Sequence, residues 1–411
     1  MGMLKQKPPR VVLYLSSFPR LSETFIVNKF LGLLKKGWDV HVVCSESDPC
    51  EWNHFPELAQ YPNIRDHVHV RWLHRPRWLA ALLIPLALLR CLFYQFRATI
   101  HYLIHGWRLF GFDIFRRLYL DAELILLRPA LIHFEFGALA VDQMHLKELL
   151  GSRILVSFRG YDLNFTELND PRYYETIWQQ ADELHLLSEH LWQQAKERGC
   201  PPDKPYTLIP PSVDVSYFKR NEDQSTSQDV IRILSVGRLE WKKGYEYALQ
   251  AVKMLIDRGI ACEYRLVGDG NHREALYFAR HQLSLEDAAF FLGAQPPHEI
   301  RTQMSWADIF LHPSLSEGFC NVVIEAQSME LPVVASDAGG LKENVESSVT
   351  GFIVRRRDPQ ALAEKLEMLA LDPSLRKKMG TAGRKRALQF FWIEDQIRKF
   401  EELYSRLLGT Q

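Results

Sequence analysis

The chain has 411 residues, 47% of them hydrophobic and 24% charged, and its 50 lysines and arginines balance its 50 aspartates and glutamates. This composition is that of a folded globular protein, and the length favours two domains. A net charge near zero argues against nucleic acid as the main partner, because binding to a phosphate backbone normally requires an excess of basic residues.

The six cysteines are scattered without a C-x-x-C pair, at positions 44, 50, 91, 200, 262 and 320. This pattern predicts neither a disulfide framework nor a zinc site and suits a reducing cytosol. Basic residues near the N-terminus precede an apolar run, VVLYL, that is too short for the core of a signal peptide. We therefore interpret VVLYL as a first strand and expect a cytoplasmic protein.

The first half of the chain alternates apolar runs with helical patterns. RVVLYLSS predicts a buried strand, residues 23–36 predict a helix that ends at Gly37, and WDVHVVCS predicts a second strand. ALIHF, RILVSF and ELHLLS are further predicted strands. Strands joined by helices, with a glycine just after a helix, indicate a parallel sheet with crossover helices.

The segment 71–127 differs from the rest of this half. It contains WLAALLIPLALLRCLFYQF, 19 residues with a single charge. The arginines around this run are Arg71, Arg75, Arg77, Arg97 and Arg108. Its length meets the threshold of about 20 residues for a membrane span, but Pro85 and Arg90 weaken that interpretation. Two others stay open: a pair of core helices, and a basic, aromatic patch on a membrane surface.

The pattern restarts after Pro210-Pro211 and a polar stretch, 219–229, that we interpret as a linker or a loop at a domain edge. Strand and helix patterns then alternate, and two helix starts are marked by aspartate followed by proline, at positions 358 and 372. The sequence therefore predicts an α/β protein with domains at 1–215 and 216–390 and a final helix, 391–411, that returns to the first domain. A ligand is expected in the cleft between the two sheets.

Two glutamates stand on either side of a predicted helix start in SLSEGFCNVVIEAQ. Glu317 lies in a loop after the strand DIFLHPS, and Glu325 lies in the helix that begins near 320–322. Helix N-termini bind anions, and carboxylates accept hydrogen bonds from vicinal diols. The spacing fits a diphosphate between two polyols. A solvated loop glutamate and an ordinary helix glutamate fit it equally well.

Two cations, Arg238 and Lys243, follow the first strand of the second half in SVGRLEWKKG. They are suited to neutralise a diphosphate and to stabilise it as it departs, although single cations at such positions are often plain surface charges. The chain has no D-x-D and no H-E-x-x-H motif. We therefore expect protein cations in place of a divalent metal.

Two glycine loops also follow predicted strands. VGDGNHRE, around Gly268, lacks the third glycine of a dinucleotide fingerprint and is better explained as a tight turn. SDAGGLKENV places Gly339 and Gly340 between a strand and a helix, where the backbone either approaches a ligand or forms a plain turn.

A series of blocks resembles the donor-binding half of retaining glycosyltransferases of family four: VGRLEWKKG, LVGDG, FLGA, HPSLSEGFCNVVIEA, LPVVASDAGG and GFIV. Their order and spacing are specific and cover about 231–371. SSFPRLSETFI, IHFEFG and SFRGYDL are similar to a branch of this family that builds exopolysaccharide and colanic acid. The resemblance implies the GT-B architecture, with an acceptor-side and a donor-binding Rossmann-like domain facing across a cleft.

The resemblance implies transfer of a sugar from a nucleotide-sugar with retained anomeric configuration and without a metal or other cofactor. By position, it assigns the diphosphate to Arg238 and Lys243, hydroxyls of the donor sugar to Glu317, and the ribose to Glu325. Arg238, Lys243 and Glu317 are the implied catalytic residues. Further implied donor-binding residues are Gly237, Gly268, Ala294, Gly318, Phe319 and Asn321.

On the acceptor side, the resemblance points to Ser22 and Glu23 in the first loop. Many relatives have a histidine where SFRGYDL has Arg159, which stays protonated and cannot act as a base. His133 in IHFEFG is our candidate to replace that histidine, and a hydrogen-bonded core histidine is the alternative.

Two residues of the motif helix also depart from the family pattern. Glu330 stands where a glycine often ends this helix, and in a left-handed cap it costs ~1 kcal/mol. Cys320 stands where glycine or proline is common, which is a mild change.

We therefore predict a glycosyltransferase of bacterial surface-polysaccharide biosynthesis that acts on a glycan or a polyprenol-linked oligosaccharide. The rival interpretations are a non-catalytic module that binds nucleotide-sugars, which only Arg159 favours, and a nucleotide-sugar hydrolase or phosphorylase on the same fold. We expect no nucleic-acid partner, and a cytoplasmic protein that becomes peripheral to the inner membrane where 71–127 contacts it.

Overall fold

The computed structural model describes residues 8–72, 77–220 and 230–409. The chain divides into two compact units. Unit 1 comprises Met1–Leu186, Trp192–Ile209 and Ile397–Gln411, and unit 2 comprises Leu187–Leu191 and Pro210–Gln396. The stretch predicted as a linker, 219–229, lies outside the described residues except for its first two positions.

Seven parallel strands form the sheet of unit 1: β1 (Val11–Ser17), β2 (Val40–Glu46), β3 (Val68–Val70), β4 (Leu131–Phe134), β5 (Arg153–Phe158), β6 (Glu183–Leu186) and β7 (Tyr206–Leu208). Their order across the sheet is β3-β2-β1-β4-β5-β6-β7. The chain order therefore reverses between β1 and β4. Ligands of such sheets bind at the carboxyl ends of the two strands that flank the reversal.

The helices of this part of the chain are α1 (Thr24–Lys35), α2 (Pro49–Trp52), α3 (Pro56–Ala59), α4 (Arg77–Phe110), α5 (Ile114–Leu127), α6 (Gly137–Ala140), α7 (His145–Leu150), α8 (Gly160–Asn164), α9 (Glu175–Gln180) and α10 (Glu189–Glu197). The predicted end of α1 is confirmed, because Gly37 follows it with a φ of 88°. β1 and β4 are buried along almost their whole length, as expected for strands covered on both faces.

The segment 71–127 forms two packed helices, and the interpretation as core helices holds for one side only. Ala87, Cys91 and Tyr102 of α4 are buried against α5. Between residues 78 and 96, α4 exposes seven large apolar residues to between 51% and 82%. These residues, the α4 ridge, are Trp78, Leu82, Leu86, Leu89, Phe93, Tyr94 and Phe96. By length and composition alone, the stretch Leu82–Leu127 is apolar enough to cross a membrane.

Six parallel strands form the sheet of unit 2: β8 (Ile231–Val236), β9 (Cys262–Val267), β10 (Ala289–Gly293), β11 (Ile309–His312), β12 (Val333–Ser336) and β13 (Gly351–Val354). Their order, β10-β9-β8-β11-β12-β13, repeats the 3-2-1-4-5-6 order of the first six strands of unit 1, which is that of dinucleotide-binding folds. The predicted α/β fold with two Rossmann-like domains is thus confirmed, and the reversal in unit 2 lies between β8 and β11.

The helices of unit 2 are α11 (Tyr245–Asp257), α12 (Arg273–Gln282), α13 (Pro297–Trp306), α14 (Asn321–Ser328), α15 (Leu341–Asn344), α16 (Pro359–Leu371) and α17 (Pro373–Phe390). Both predicted aspartate N-caps are confirmed: Asp358 accepts from the Ala361 N–H, and Asp372 from the Leu375 N–H, each at 2.9 Å. Glu330, two residues beyond α14, has a φ of 60°, so the left-handed cap is present without glycine.

The last helix, α18 (Ile393–Leu408), begins in unit 2 and continues into unit 1. Within unit 1, Phe400 and Tyr404 are buried, and Glu401 accepts a hydrogen bond of 3.0 Å from Trp38 Nε1. A side chain at Gly32 would meet the Ile397 side chain at 2.1 Å, so glycine allows α1 and α18 to approach closely.

Candidate functional site

The carboxyl ends of β8 and β11 lie side by side at the reversal of the unit 2 sheet. Lys243 lies in the loop after β8, and Glu317 lies in the loop after β11. Lys243 Nζ is 2.5 Å from Glu317 Oε1, and the side chains are 13% and 11% exposed. Two residues predicted to bind one ligand therefore form an ion pair where folds of this type bind ligands.

Two more side chains hold the same oxygen of Glu317. Ser314 Oγ donates to it at 2.8 Å, and His312 Nε2 lies 3.0 Å away. His312 is fully buried at the end of β11, and its Nε2 is also 3.3 Å from Cys320 Sγ. Within the described residues, Glu317 Oε2 has no partner. One oxygen is thus fixed by the protein, and the other is left to accept from a ligand.

Opposite charges outweigh burial in this cluster. Burial opposes the charged forms, yet Lys243 and His312 hold the pKa of Glu317 well below its usual range. Glu317 in turn raises the pKa of Lys243 against the effect of burial. Despite burial, contacts with Cys320 and Glu317 raise the pKa of His312 to about 9. The pairing therefore keeps the Lys243 ammonium and the Glu317 carboxylate charged inside the protein.

Arg238 is not part of this ion-pair cluster. Its side chain is 67% exposed, and its Nη1 lies 2.9 Å from Glu240 Oε1. Arg238 directly follows Gly237 at the end of β8, so it lies at the same edge of the sheet as Lys243. Because an ion pair at the surface is weak, the Arg238 side chain can leave Glu240 and reorient toward a ligand.

The loop between Glu317 and α14 presents backbone N–H groups. Asn344 holds this loop through two hydrogen bonds of 3.1 Å, one to the N–H and one to the carbonyl of Cys320. In the described part of the chain, the N–H groups of Gly318, Phe319 and Asn321 donate to no protein acceptor. The predicted helix start is confirmed, since α14 begins at Asn321. The three free N–H groups and the helix start favour an anion here.

Glycines allow the loops at this edge to pack closely. Gly268, after β9, has a φ of 144°, and a Cβ there would lie 1.9 Å from the Gly237 carbonyl oxygen. This packing agrees with the predicted tight turn. A Cβ at Gly339 would lie 2.0 Å from the Glu317 carbonyl oxygen. The backbone that Gly339 approaches is therefore that of the Glu317 loop, which supports the interpretation as a turn.

Glu325 lies in the second turn of α14 and is half-buried. Its side chain has no hydrogen bond or ion pair within the described residues, and burial raises its pKa to about 7. An unpartnered, desolvated carboxyl group is costly for the fold and is common where a ligand supplies the missing hydrogen bonds. Ala294, also predicted to bind donor, is exposed directly after β10.

The structure places His133 in the core of unit 1. The ring is fully buried in β4, with Nδ1 2.7 Å from the Tyr404 hydroxyl and Nε2 2.7 Å from Ser157 Oγ. Burial lowers its pKa well below the usual range, so the ring is neutral. This geometry is that of the alternative stated above, a hydrogen-bonded core histidine.

Arg159 is fixed at the reversal of the unit 1 sheet by Glu135. Its Nη2 lies 3.1 Å from Glu135 Oε2, and its Nε donates to the Glu135 carbonyl at 3.1 Å. The guanidinium also lies over the Phe25 ring, 4.0 Å from its centre. The other oxygen of Glu135 pairs with the Lys29 ammonium, whose pKa burial lowers to about 8. The two cations share one buried carboxylate.

The first loop of unit 1 lies close to this arginine. Burial raises the pKa of Glu23, and the charges of Arg20 and Arg159 partly oppose that rise. Glu23 and Arg159 are therefore near enough to interact at the carboxyl ends of β1 and β5. The side chain of Ser22, the other residue predicted in this loop, lies outside the described part of the structure.

Sequence reasoning missed four buried polar residues: Lys29, Glu135, His312 and Ser314. Three of them had a usable signal. His312 is a polar residue that ends an apolar strand five positions before Glu317, and Glu135 directly follows another such strand. Lys29 interrupts the buried face of an otherwise apolar helix. Polar groups at strand ends are candidates for a site because the carboxyl edge of a parallel sheet binds ligands.

His312, Glu317 and Cys320 are the residues in the described part of the chain that could together hold a metal ion. Their potential ligand atoms lie within 4.8 Å of one another. However, Glu317 already pairs with the Lys243 ammonium through Oε1. A divalent cation at this point would lie against a fixed positive charge, so the donor set fits a metal poorly.

Comparison with known proteins shows which family the second half of the chain resembles. Residues 218–386 match the family model for glycosyl transferases group 1. Over 404 residues the chain is 28% identical to the Salmonella typhimurium protein named colanic acid biosynthesis glycosyltransferase WcaL, covering 93% of this chain and 96% of the relative. It is 34% identical over 243 residues to the amylovoran biosynthesis glycosyltransferase AmsK of Erwinia amylovora, covering 57% and 59%.

Solved structures share the fold at low sequence identity. Sucrose-phosphate synthase from Thermosynechococcus elongatus superposes with a TM-score of 0.74 at 19% identity. The superposition covers 98% of this chain and 100% of the synthase chain. Anabaena HepE in complex with UDP-glucose superposes with a TM-score of 0.72 at 17% identity, covering 96% and 99%. The chain therefore contains a group 1 glycosyl transferase domain at 218–386, is similar along its length to a colanic acid biosynthesis glycosyltransferase, and shares the fold of these solved structures.

Proposed function

We propose that this glycosyltransferase moves a sugar from a nucleoside-diphosphate sugar to a glycan acceptor in bacterial exopolysaccharide biosynthesis, retaining the anomeric configuration and using no metal ion. The relatives are named for colanic acid and amylovoran biosynthesis, and a structure of the same fold holds UDP-glucose. The observation that carries the proposal is the Lys243–Glu317 pair at the carboxyl edge of the unit 2 sheet.

This pair suits a diphosphate that is joined to a sugar. Lys243 has three ammonium protons, so it can keep its bond to Glu317 and also donate to a phosphate oxygen. The free N–H groups of Gly318 and Phe319 extend the anion site. Glu317 Oε2 then accepts from hydroxyls of the donor sugar. The buried pair thus contacts both sides of the bond that breaks, with Lys243 at the phosphate and Glu317 at the sugar.

Glu325 and Arg238 complete the proposed donor site. Glu325 is an unpartnered acceptor in α14, which suits the two hydroxyls of a ribose. Arg238 exchanges Glu240 for the diphosphate as the donor binds, because an exposed ion pair is worth only about 0–1 kcal/mol. The donor would then be held at its ribose, its diphosphate and its sugar.

The reaction needs no protein base in this arrangement. The acceptor hydroxyl attacks the anomeric carbon on the face that the diphosphate leaves, and its proton passes to the departing phosphate oxygen. The bond from the anomeric carbon to the phosphate oxygen breaks as the new glycosidic bond forms on the same face. Lys243 and Arg238 stabilise the charge that develops on the diphosphate. The neutral, fully bonded His133 and the fixed cation Arg159 agree with a route without a side-chain base.

A thermal-shift screen tests donor binding. At 100 times its Kd, a ligand stabilises the fold by about 2.7 kcal/mol. We expect one nucleoside diphosphate and its sugar derivative to raise the Tm of the wild type, and Glu325→Gln to lose that rise. Glu364→Gln, which removes an exposed carboxylate elsewhere in unit 2, is the matched control. A wild type that no nucleoside diphosphate or nucleotide-sugar stabilises would contradict the proposal.

A transfer assay with the selected donor tests the reaction. We expect the product to keep the donor's anomeric configuration, as read from its NMR coupling constant, and the activity to persist in EDTA. Free sugar released without an acceptor would indicate a hydrolase. An inverted product would refute retention, and loss of turnover in EDTA with recovery on adding Mg²⁺ would refute metal independence.

We further propose that the α4 ridge docks the protein peripherally on an anionic membrane, such as the cytoplasmic face of the inner membrane, where a polyprenol-linked acceptor is presented. The ridge exposes seven large apolar side chains. The exposed Arg97 and Arg108 lie in the part of α4 that follows its kink at Gln95, and they have no partner among the described residues. Apolar burial and attraction to anionic lipids act together in such helices.

Flotation with vesicles tests this docking. We expect the wild type to float with vesicles that contain an anionic lipid, less so at high salt. Phe93→Ser/Phe96→Ser should lose flotation, whereas Phe278→Ser, at a phenylalanine that is 64% exposed in unit 2, should keep it. Equal flotation of both variants would remove the α4 ridge from the proposal.

A further inference from the structure

Unit 2 contains a cavity that the proposed donor site does not use. It has a volume of about 670 Å³ and is lined by Trp241, Leu315, Ser316, Asp337, Arg355, Arg356, Arg357 and Asp358. These residues come from the loops after β8, β11, β12 and β13, so the cavity opens at the same edge of the sheet as the Lys243–Glu317 pair. Ser316 lies directly before Glu317.

Hydrogen bonds tie the walls of this cavity together. The Leu315 N–H donates to the Lys242 carbonyl at 2.7 Å, which joins the loops after β8 and β11. Arg356 joins two more loops, because its N–H donates to Asp337 Oδ1 at 2.9 Å and its Nη1 donates to the Leu315 carbonyl at 3.2 Å. The cavity is therefore preformed, and a ligand need not order it.

The charges of the lining leave two guanidinium groups for a ligand. Asp337 is occupied by Arg356, and Asp358 is occupied as the N-cap of α16. In the described part of the chain, Arg355 and Arg357 have no hydrogen-bond or ion-pair partner. The three arginines and two aspartates of the lining sum to one positive charge. This excess matches a single carboxylate better than it matches a diphosphate.

The backbone at Arg357 supports a built site. Its φ is 63°, a left-handed conformation that glycine or asparagine usually occupies and that costs an arginine about 1 kcal/mol. Such strain is found at ligand sites more often than elsewhere. The consequence here is that the arginine side chain, rather than glycine, stands at the turn between β13 and α16 and lines the cavity.

The remaining wall is aromatic. Trp241 is 55% exposed and lies two residues before Lys243 in the loop after β8. A broad aromatic face offers apolar contact to the C–H face of a pyranose ring, and its edge tolerates water. Guanidinium groups bind carboxylates through two parallel hydrogen bonds, which gives both charge and direction.

We infer that this cavity binds an acidic sugar, a saccharide unit that carries a carboxylate, in the glycan acceptor. Trp241 stacks on the ring, and Arg355 and Arg357 take the carboxylate. The inference rests on the proposed function, since it names the chemical class of that enzyme's acceptor. It gives Arg355 and Arg357, which the donor site leaves unused, a role in selecting the substrate.

Calorimetric titration of the whole protein with three probes tests this inference. The probes are trigalacturonate, the neutral maltotriose of equal length, and inorganic phosphate. We expect trigalacturonate to bind, maltotriose to bind at least tenfold more weakly, and phosphate at equal concentration to leave the trigalacturonate Kd unchanged. Arg355→Gln/Arg357→Gln and Trp241→Ala should each weaken trigalacturonate at least tenfold. Lys378→Gln, which removes an exposed cation from α17, should not.

Each other outcome overturns the inference. Absence of trigalacturonate binding, an unchanged Kd in the double arginine variant, or equal binding of maltotriose would remove the acidic-sugar site. Full competition by phosphate would show a simple anion site. The double arginine variant should keep the Tm rise with the nucleotide-sugar, so a wild type without that rise signals failure of the proposed function and not of this site.

Discussion

Lys243 and Glu317 form an ion pair in which each side chain keeps the other charged inside the protein. They stand 74 residues apart in the chain, yet Nζ and Oε1 are 2.5 Å from each other. Burial alone would push both toward their neutral forms, and the pairing reverses the direction of both pKa shifts. The binding site and the stability of unit 2 therefore depend on the same contact.

Breaking this pair should cost stability as well as activity. Lys243→Met leaves the Glu317 carboxylate buried without its main counter-ion, and we expect a loss of about 3 kcal/mol in the free energy of unfolding. Lys243→Met/Glu317→Gln should recover most of that loss without restoring transfer. Urea unfolding and the transfer assay measure the two effects. If Lys243→Met is as stable as the wild type, the pair does not contribute to stability.

Glu325 should lower the free energy of unfolding at neutral pH, although it is needed for donor binding. Its folded pKa of about 7 lies above its ordinary value of 4.5, so the folded state holds the proton more tightly than the unfolded state. Its contribution to stability is therefore lost as the pH rises from 4.5 to 7 and stays lost above that range.

Glu325→Gln removes this penalty. We expect the variant to match the wild type near pH 4.5 and to exceed it by up to about 3 kcal/mol at pH 8, while losing stabilisation by the nucleotide-sugar. Unfolding curves at several pH values measure the difference. A stability gap that does not change with pH would mean that Glu325 titrates normally.

Glu330→Gly should stabilise the protein. Glu330 has a φ of 60°, which glycine adopts without the steric cost that a side chain brings. We expect a gain of about 1 kcal/mol, because removal of the strain exceeds the added entropy of the unfolded chain. Glu330→Ala is the control, since it removes the carboxylate but keeps the Cβ. An equal gain in both variants would assign the effect to charge.

Arg159→Met should affect the acceptor and not the donor. Arg159 belongs to unit 1, and Lys29 still balances Glu135 when the arginine is gone, so the fold should persist. We expect transfer to fall at least tenfold with an unchanged Tm rise on adding the nucleotide-sugar. Arg153→Met, at a mostly exposed arginine that begins β5, the strand directly before Arg159, is the control. Loss of the Tm rise would place Arg159 on the donor side.

The sequence was sufficient to predict the repeated strand and helix units, the N-caps at Asp358 and Asp372, and the position of Lys243 and Glu317 in loops after strands. These features depend on local patterns: apolar periodicity, capping preferences, and the rule that parallel sheets bind ligands at the carboxyl ends of their strands. A left-handed cap at Glu330 could likewise be anticipated from its place after α14.

Contacts between distant residues could not be predicted in this way. The sequence alone did not show that Lys243 pairs with Glu317, that His312 shares the same oxygen, or that Glu135 fixes Arg159. Nor did it choose between a core position and an exposed position for α4, because an apolar helix has the same composition in both settings.

What the sequence determined by itself is therefore the kind of group at each strand end. The tertiary structure decided which of these groups meet, which stay unpartnered as Glu325 does, and how burial and neighbouring charges set their protonation. The physical reason is that hydrogen bonds, desolvation and ion pairing act over a few ångströms in space, whereas periodicity and capping act over a few residues along the chain.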